Sequence, residues 1–468
     1  MDEQTPLVNR AEELAQIGQY LKDAQRKTAT PRIVNVCGIP GIGKSTLLRE
    51  IAARTSAQHW CVSLYIDLRS IERHDLHVAK LQFLTQLARR SDDPHIAAPA
   101  QALAALSEHP DDGELDHALA AFAQALAARP EVIVVIADTW DYVLETLFAW
   151  VEYYLLLVLT IRHKRIVCVL GSQAPLRWRQ YEVRRRVELI ELGALEPEHV
   201  ATQLRELNYL AAAIVDLTAG HPKANEIVRK LLRDKANPAE WLAAHRGQVA
   251  EQMCAILMRE MAEESTVDDD PAMLQAIFRV AALLREFDLH TLRHLIPQAF
   301  PELALTSQSG LMLKVRELAE KHIVTWSETT RSYQFAPTLR HIFARELELN
   351  NRQLYLTLRT AAVEYYSKLV RTVPGNRDQF LLELVYQSLY KEDPVSYNVL
   401  HLVDDLFVSA LREHYGATTE HAKAASDGLR LLLSADMELQ EALDQHGIPR
   451  GHLLELLERH VSRPERSG

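Results

Sequence analysis

The sequence has few cysteines, glycines and prolines, and each shortage excludes a class of protein. Only 16 glycines and 19 prolines in 468 residues argue against a collagen-like or disordered chain. The four cysteines are too few and too scattered for a disulfide framework or a metal-binding pair. Three of the four lie in apolar runs typical of strands, so we expect reduced, buried thiols in a cytosolic protein. The cysteines are Cys37, Cys61, Cys168 and Cys254.

The chain also lacks an excess of basic charge and a membrane-spanning run. Lysine and arginine number 52 against 63 aspartates and glutamates, and the net charge of −11 disfavours non-specific binding to nucleic acid or anionic membranes. The apolar run from Leu147 to Ile161 has about 15 residues and contains Glu152, whereas a bilayer-spanning helix needs roughly 20. The amino-terminal residues show no signal sequence. We therefore expect a cytoplasmic protein of about three domains, without membrane partners.

Helical and strand-like patterns alternate over the first two hundred residues. Continuous β-branched runs such as Val132 to Ala137 are typical of central parallel strands covered on both faces. Strands that alternate with helices predict βαβ units, so the expected class is α/β with a parallel sheet and helices on both faces. The predicted strands are 32–37, 60–68, 132–137 and 166–170, and the predicted helices are 12–26, 45–54, segments of 75–128, and 142–161.

Strand patterns become rare after about residue 195. Residues 197–262 have a helical pattern, and the acidic stretch 263–271 marks a linker or surface loop. Two short alternating runs, 322–326 and 332–335, follow helices and predict the hairpin of a winged helix. We therefore predict an α/β core over 1–200, a small helical domain over 201–268, a winged-helix domain over 269–350 and an all-α carboxyl-terminal domain over 351–468.

The strongest motif fits G-x-x-x-x-G-K-[ST] and lies between a predicted strand and a predicted helix, which is the context of a P-loop. Its glycines let backbone N–H groups surround phosphate oxygens, and the following helix presents its positive end to the same anion. We expect Lys44 to reach the β- and γ-phosphates of ATP, Ser45 to offer its hydroxyl to Mg²⁺, and Thr46 to support the turn. The alternative is a glycine-rich turn that binds nothing. The motif is Gly38-Ile39-Pro40-Gly41-Ile42-Gly43-Lys44-Ser45-Thr46, and it predicts a P-loop NTPase core.

A P-loop requires an acid that holds Mg²⁺ at the end of another strand. Asp138 follows the apolar run 132–137, and Asp141 comes three residues later. We expect Asp138 to hold the metal and Asp141 to orient or polarise the attacking water, which makes Lys44, Asp138 and Asp141 the candidate catalytic residues. The alternative roles are a strand-end turn residue for Asp138 and a helix N-cap for Asp141.

These motifs resemble the STAND class of P-loop NTPases, the signal-transducing switch ATPases that include NB-ARC and NACHT proteins. The stretch Leu7 to Leu14 looks like the class's opening motif, and residues 138–141 are similar to its Walker B form. Residues 218–222, Thr-Ala-Gly-His-Pro, look like its G-x-P motif. The order of parts also matches, over roughly residues 7–345. By resemblance, the backbone of Val8, Asn9 and Arg10 lies against the adenine, and Pro222 contacts the base.

Two departures from this class lie in the predicted core. The class often has Glu after the second Walker B acid, where this chain has Tyr142. The strand after Walker B commonly ends in an arginine that senses the γ-phosphate, and here Gln173 would contact the phosphate without adding charge. Arg177, Arg179 or the run 184–186 are candidate replacements, although the run also fits a solvated basic helix face.

The resemblance implies a slow, switch-type ATPase in signalling, with bacterial defence as one setting. ADP would hold a closed form, and ATP with Mg²⁺ would favour an open form that self-associates. The few residues before the core and roughly 118 after residue 350 leave little room for input and output. We therefore expect a separate effector or sensor protein as partner.

Two other hypotheses remain open. The first is a DNA-associated ATPase or transcription regulator that acts through the winged helix, where Trp326 and Arg331 lie on the hairpin and Arg340 and Arg345 follow. The net charge of −11 makes DNA an unfavourable partner in this interpretation. The second is a nucleotide-gated scaffold that does not hydrolyse ATP, which Tyr142 and the missing sensor arginine favour.

Overall fold

The structure is a computed structural model, and it divides the chain into two compact units. The first unit comprises Met1–Ala244 with Glu320–Ile323, and the second comprises His245–Ala319 with Val324–Gly468. The structure describes residues 8–26, 32–89, 110–262, 271–303, 308–328, 330–391, 399–414 and 420–461.

The first unit contains a five-stranded sheet in which all neighbouring strands are parallel. Its strands are β1 (Arg32–Cys37), β2 (Cys61–Asp67), β3 (Val132–Asp138), β4 (Ile166–Ser172) and β5 (Val187–Glu191). They lie in the order β2-β3-β4-β1-β5. Because parallel strands all end at one edge of the sheet, the loops that follow β1 to β4 converge there.

Helices cover both faces of this sheet. On β3, Ile133 and Val135 face one core cluster, whereas Val134 and Ile136 face the other, as the two-residue period of a strand requires. One face carries α1 (Ala11–Gln25) and α2 (Lys44–Ser56). The other face carries α3 (Leu76–Ala88), α4 (Asp112–Ala127), α5 (Glu145–Val151), a π-helical turn (Glu152–Leu157) and α6 (Val158–Arg162).

This architecture confirms the predicted fold class. Strand β1 has the predicted bounds, and β2, β3 and β4 differ from prediction by one or two residues. Strand β5 is not predicted, because Glu188 and Glu191 interrupt its apolar residues and it forms a half-exposed edge. The apolar run 147–161 forms a largely buried helical segment as expected, but a π-helical turn interrupts it. All four cysteines are buried and free.

A helical segment follows the sheet within the first unit. A buried polar network fixes its turns, because Thr218 donates to Asn225 Oδ1 at 2.6 Å and Asn225 donates to Gln203 Oε1 at 2.9 Å. Gln203 in turn donates to the carbonyl oxygen of Pro222 at 2.9 Å. The helices are α7 (Tyr181–Arg184), before β5, and then α8 (Pro197–Leu204), α9 (Ala211–Thr218), α10 (Pro222–Arg233) and α11 (Pro238–Ala244).

The second unit is helical apart from one hairpin. The predicted hairpin is present as the antiparallel strands β6 (Val324–Ser327) and β7 (Ser332–Phe335), and Phe287 forms a further bridge to Tyr333. The helices before the hairpin are α12 (Arg246–Ala262), α13 (Pro271–Ala281), α14 (Leu289–Ala299) and α15 (Gln308–Glu320). Those after it are α16 (Pro337–Asn350), α17 (Arg352–Thr372), α18 (Arg377–Leu389), α19 (Val399–His414), α20 (Glu420–Ala435), α21 (Met437–Gln445) and α22 (His452–Val461).

Some predicted features fall outside the described residues. Leu7 of the opening motif and residues 263–270 of the acidic stretch are among them, although Pro271 begins α13 as its position predicts. The bounds of the four predicted domains stay predictions. Within the described part of the chain, no helix has the length and apolar character needed to cross a membrane.

Candidate functional site

The core residues that are predicted to bind nucleotide or to take part in catalysis meet at the carboxyl-terminal edge of the sheet. The P-loop follows β1, Asp138 ends β3, and Gln173 follows β4. Two hydrogen bonds join these loops. The Gly38 N–H donates to the Gln173 carbonyl oxygen at 3.1 Å, and the Gln173 N–H donates to Asp141 Oδ1 at 2.5 Å.

The carbonyl groups of the P-loop are held by donors from three parts of the first unit. Lys44 Nζ donates to the Gly38 oxygen at 2.6 Å and to the Ile39 oxygen at 3.1 Å. His221 Nε2 lies 2.9 Å from the Pro40 oxygen, and buried Arg10 donates to the Ile42 oxygen at 3.3 Å. The C=O and the following N–H of a planar trans peptide point in opposite directions. The N–H groups that follow Pro40 and Ile42 therefore point away from these two side chains, in the manner of an anion-binding nest.

Gly41 is required by the local geometry of the P-loop. Its φ of +75° is a backbone conformation that other residues adopt at a cost. A Cβ atom there would lie 2.7 Å from His221 Cε1 and 2.8 Å from Lys223 Cβ. The loop therefore passes directly against the start of α10, with no room for a side chain.

Asp138 has the burial and the free oxygen that a metal ligand needs. Its side chain is 1% exposed, and Oδ2 has no hydrogen-bond partner among the described residues. Such an orphaned buried oxygen is costly unless a cation or water completes its contacts. The Asp138 carboxylate and the Ser45 hydroxyl are hard oxygen donors that suit Mg²⁺, which binds through few protein ligands together with substrate phosphates. The residues present therefore fit the predicted ion.

Asp141 is a buried carboxylate with a raised pKa. Burial raises its pKa to about 6, against the opposing effects of N–H groups from Gln173 and Ala174 and of the Lys44 charge. The carboxylate is therefore ionised at neutral pH, yet it is more basic than an exposed aspartate. That combination suits a group that takes a proton from water.

The loop after β4 is fixed by polar side chains that sequence patterns did not single out. Asn35 of β1 donates to Ser172 Oγ at 2.7 Å and accepts from the Leu176 N–H at 2.8 Å. The fully buried Glu152, in the π-helical turn, accepts the N–H groups of Arg179 and Gln180 at 3.1 and 2.8 Å. A polar Asn inside an apolar strand is the available sequence signal for the first of these. For Glu152 the signal is a charged residue inside the apolar run 147–161.

Several of the candidate sensor arginines are engaged in ion pairs within the first unit. Arg179 pairs with Glu145 at 2.9 Å, and Arg185 and Arg186 pair with Glu182 at 2.7 and 3.2 Å. The charged groups of the Arg179 and Arg185 pairs are exposed, so these two pairs contribute little to stability, whereas Arg186 is half-buried. The role of sensing the γ-phosphate stays a prediction for Gln173 and these arginines.

A charged pair that the sequence patterns did not indicate lies beside Asp138 at the end of β2. The strand register places Asp67 next to Asp138. Arg69 donates to both Asp67 oxygens, at 3.0 and 2.6 Å. Burial opposes ionisation of Asp67, but the hydrogen bonds and charge of Arg69 lower its pKa. An acid directly after an apolar strand was the available signal.

The remaining predicted contacts lie around the P-loop. Asn9 has a left-handed φ of +51°, and Arg10, which also donates to the Gly193 oxygen at 2.8 Å, precedes α1. Pro222 begins α10, whose N-cap is His221, and Thr46 lies in the first turn of α2. The proposed base contacts of residues 8–10 and of Pro222 stay predictions.

Comparison with known proteins adds a family match to this geometry. Residues 6–146 match the family model described as an AAA ATPase domain, and a search of curated proteins found no match. The solved ORC2 protein of Aeropyrum pernix in its ADP form is 14% identical with a TM-score of 0.42, over 76% of this chain and 97% of that one. The ORC1 protein of the same organism, in complex with DNA, is 14% identical with a TM-score of 0.38, over 74% of this chain and 94% of that one. Cdc6p from Pyrobaculum aerophilum is 13% identical with a TM-score of 0.37, over 76% of this chain and 97% of that one.

The AAA ATPase domain match spans both the P-loop and the strand that ends in Asp138. The sheet brings these two segments to one edge together with Lys44, Asp138 and Asp141, whose roles in catalysis stay predictions. Residues 6–146 are therefore identified as a P-loop ATPase domain.

Proposed function

We propose that the protein is an ATP/ADP-dependent molecular switch of the STAND type. It binds ATP with Mg²⁺, hydrolyses it slowly, and thereby controls self-association or the engagement of a separate effector or sensor protein. One observation carries this proposal. The turn of residues 218–222, which resembles the nucleotide-sensing motif of that class, lies directly on the P-loop at Pro40 and Gly41.

The residues of the site divide the chemistry between them. Lys44 neutralises charge on the transferred phosphate, and Asp138 and Ser45 are the protein groups that hold Mg²⁺. When bound, Mg²⁺ neutralises the phosphate oxygens. Asp141 orients the attacking water and accepts its proton. Slow hydrolysis is expected because the sequence has Tyr142 where the class often has a glutamate. The nucleotide shifts the conformational equilibrium only by its different affinity for the two forms.

Nucleotide titration of the wild type and a Lys44→Ala variant tests the binding step. We expect the wild type to bind both ATP-Mg²⁺ and ADP. The variant should lose about 100-fold in ATP affinity, because at least two charge-assisted hydrogen bonds disappear. Lys22→Ala, an exposed lysine of α1, is the matched control. Equal ATP affinity of Lys44→Ala and the wild type contradicts the proposal.

Light scattering after gel filtration tests the switch. The wild type should have a larger mass with a non-hydrolysable ATP analogue than with ADP. Lys44→Ala should keep one mass under both conditions. An unchanged wild-type mass would exclude self-association and leave engagement of a separate partner, which a nucleotide-dependent pull-down from native cells measures.

A DNA-associated ATPase is a second candidate, and the hairpin of the second unit favours it. Trp326 on β6 is 45% exposed and packs edge-to-face on Tyr333, and Arg331 lies at the turn with a φ of +52°. By contrast, Arg340 and Arg345 pair with Glu438 and Glu348. A gel-shift assay on duplex DNA at about 50 mM salt separates the candidates. Binding that Arg331→Ala weakens supports this function, and no binding removes it.

A nucleotide-gated scaffold without hydrolysis is the third candidate. The presence of Tyr142 after the second acid favours it. A single-turnover assay with radiolabelled ATP distinguishes it from the slow ATPase. Tight ATP binding without phosphate release, both alone and under conditions that promote self-association, would replace the ATPase by the scaffold.

A further inference from the structure

The ring of His221 is fully buried and forms a hydrogen bond at each nitrogen. Nδ1 lies 3.2 Å from the Ala224 backbone nitrogen, and Nε2 lies 2.9 Å from the Pro40 carbonyl oxygen. A backbone N–H only donates, so Nδ1 is the acceptor and the proton of the neutral ring is on Nε2. His221 therefore accepts from its own helix and donates to the P-loop.

The backbone around His221 leaves little freedom for this contact to change. The Leu195 N–H donates to the Gly220 oxygen at 2.9 Å, and a Cβ atom on Gly220, whose φ is +72°, would lie 2.1 Å from the Leu195 oxygen. The network of Thr218, Asn225 and Gln203 fixes the other side of the turn. The turn and the start of α10 are therefore held rigidly, and they present the Nε2–H group of His221 to the P-loop.

We propose that His221 is a positioning residue for nucleotide binding, which holds the Pro40–Gly41 peptide with its N–H toward the phosphates and couples α10 to the P-loop. This inference rests on the proposed nucleotide function. The physical basis is that the Pro40 C=O and the Gly41 N–H belong to one planar unit. A phosphate that accepts from the Gly41 N–H therefore binds the same peptide group whose carbonyl oxygen accepts from His221. Nucleotide binding and the packing of α10 against the P-loop therefore stabilise each other.

Two variants separate the two hydrogen bonds of the ring. In His221→Asn, the amide oxygen replaces Nδ1 as acceptor of the Ala224 N–H, but the side chain is too short to reach Pro40. In His221→Gln, the longer amide places a donor near the position of Nε2, and the N-cap is weakened. His163 provides the matched control, because it is also buried in the first unit and its nitrogens lie 3.2 and 3.1 Å from the Ala127 and Glu131 carbonyl oxygens, at the opposite edge of the sheet.

We expect His221→Asn to weaken ATP-Mg²⁺ and ADP about tenfold, the value of one buried hydrogen bond. His221→Gln should recover most of this affinity while melting at a lower temperature than His221→Asn. His163→Asn should bind nucleotide like the wild type. A merely structural role predicts a different result, in which affinity follows thermal stability across all three variants.

Amide hydrogen exchange without nucleotide provides a second, independent test. The Gly41 N–H itself faces a site for anions, so the measured quantity is the exchange rate of the P-loop peptide 38–43 as a whole. It should rise several-fold in His221→Asn relative to the wild type and stay unchanged in His163→Asn. Unchanged exchange together with wild-type affinity in His221→Asn overturns the inference. Failure of the wild type to bind ATP would contradict the proposed function alone, since the exchange experiment still decides whether His221 holds the loop.

Discussion

Asp141 accepts the backbone N–H of Gln173 across 2.5 Å, and this bond links two strand ends of the site. The Gln173 carbonyl oxygen accepts from the Gly38 N–H in turn. The candidate base, the loop after β4 and the P-loop are therefore connected by two successive hydrogen bonds through one residue. A shift of the loop after β4 moves both the carboxylate and the phosphate loop.

Replacement of Asp141 by Asn should stop catalysis while it preserves this connection. The amide oxygen still accepts the Gln173 N–H, but the side chain no longer takes a proton. We expect the turnover rate to fall by about 10²- to 10⁴-fold, the usual contribution of a positioned general base, with ATP affinity changed less than about threefold. Steady-state phosphate release and nucleotide titration measure the two quantities.

The control for this variant is Asp234→Asn, whose side chain is 88% exposed at the end of α10. It should retain the wild-type rate. A rate for Asp141→Asn within twofold of the wild type would remove Asp141 from the chemistry and leave its role as an anchor for Gln173.

Replacement of Gly41 by Ala should damage the P-loop through both strain and contact. The φ of +75° disfavours a side chain, and the new Cβ would meet His221 and Lys223 at less than 3 Å. We expect a loss of about 1–3 kcal/mol in the free energy of unfolding, together with at least tenfold weaker ATP binding. Chemical denaturation and nucleotide titration measure these effects.

Gly18→Ala in α1 is the matched control, because no atom lies within 4 Å of its added Cβ. A helical alanine there should stabilise the protein by up to about 1 kcal/mol without a change in ATP affinity. Wild-type stability and affinity in Gly41→Ala would mean that the P-loop and α10 separate easily.

His221 should make the stability of the first unit fall in mildly acidic solution. Burial lowers its pKa to about 4, and the charges of Lys44 and Lys223 act in the same direction against the Pro40 hydrogen bond. An unfolded histidine has a pKa of about 6.5. As the pH falls from 6.5 to 4, the unfolded chain therefore takes up a proton that the folded protein refuses, and folding loses roughly 3 kcal/mol.

The measurement compares urea unfolding of the wild type and His221→Gln from pH 7 to pH 4. All other titrating groups are shared, so the difference between the two curves isolates His221. The difference in the free energy of unfolding should become smaller as the pH falls below 6.5. Only the wild type loses the stability that comes from the lowered pKa of His221. Parallel curves would show that the ring titrates freely in the folded protein.

A buried ion network in the second unit should be important for its stability. Arg285 donates to Glu383 at 2.8 Å and to both oxygens of Asp436 at 2.7 and 2.8 Å, and it stacks 4.6 Å from the centre of the Tyr386 ring. Arg285→Met leaves two largely buried carboxylates without their partner. We expect a loss of about 3–5 kcal/mol in the free energy of unfolding.

Arg459→Ala, which breaks an exposed pair with Glu455, should cost less than about 1 kcal/mol in the same denaturation experiment. Comparable losses in the two variants would indicate that solvent reaches the Arg285 network. Adding Glu383→Gln and Asp436→Asn to the Arg285→Met variant removes both carboxylate charges. This triple variant should recover part of the stability that Arg285→Met loses.

Local sequence patterns predicted the elements whose signal is contained in a few consecutive residues. The strand from Arg32 to Cys37, the P-loop and the acid at Asp138 were all found this way, because apolar runs and glycine spacing act over short distances. Strand β5 was missed, since an edge strand is half exposed and its charged residues conceal the apolar pattern. The side-chain roles of His221, Glu152 and Asn35 were missed because their partners lie 27 to 181 positions away.

The sequence by itself determined the α/β class, the phosphate loop and the chemical types available at the site. Each of these depends on backbone preferences or on residue identity, which are properties of short segments. Only the tertiary structure decided which groups meet, namely His221 with Pro40, Asp141 with Gln173, and Arg10 with Ile42. These contacts depend on strand order and on the packing of helices over the sheet. They arise from many weak long-range interactions whose sum no local pattern records.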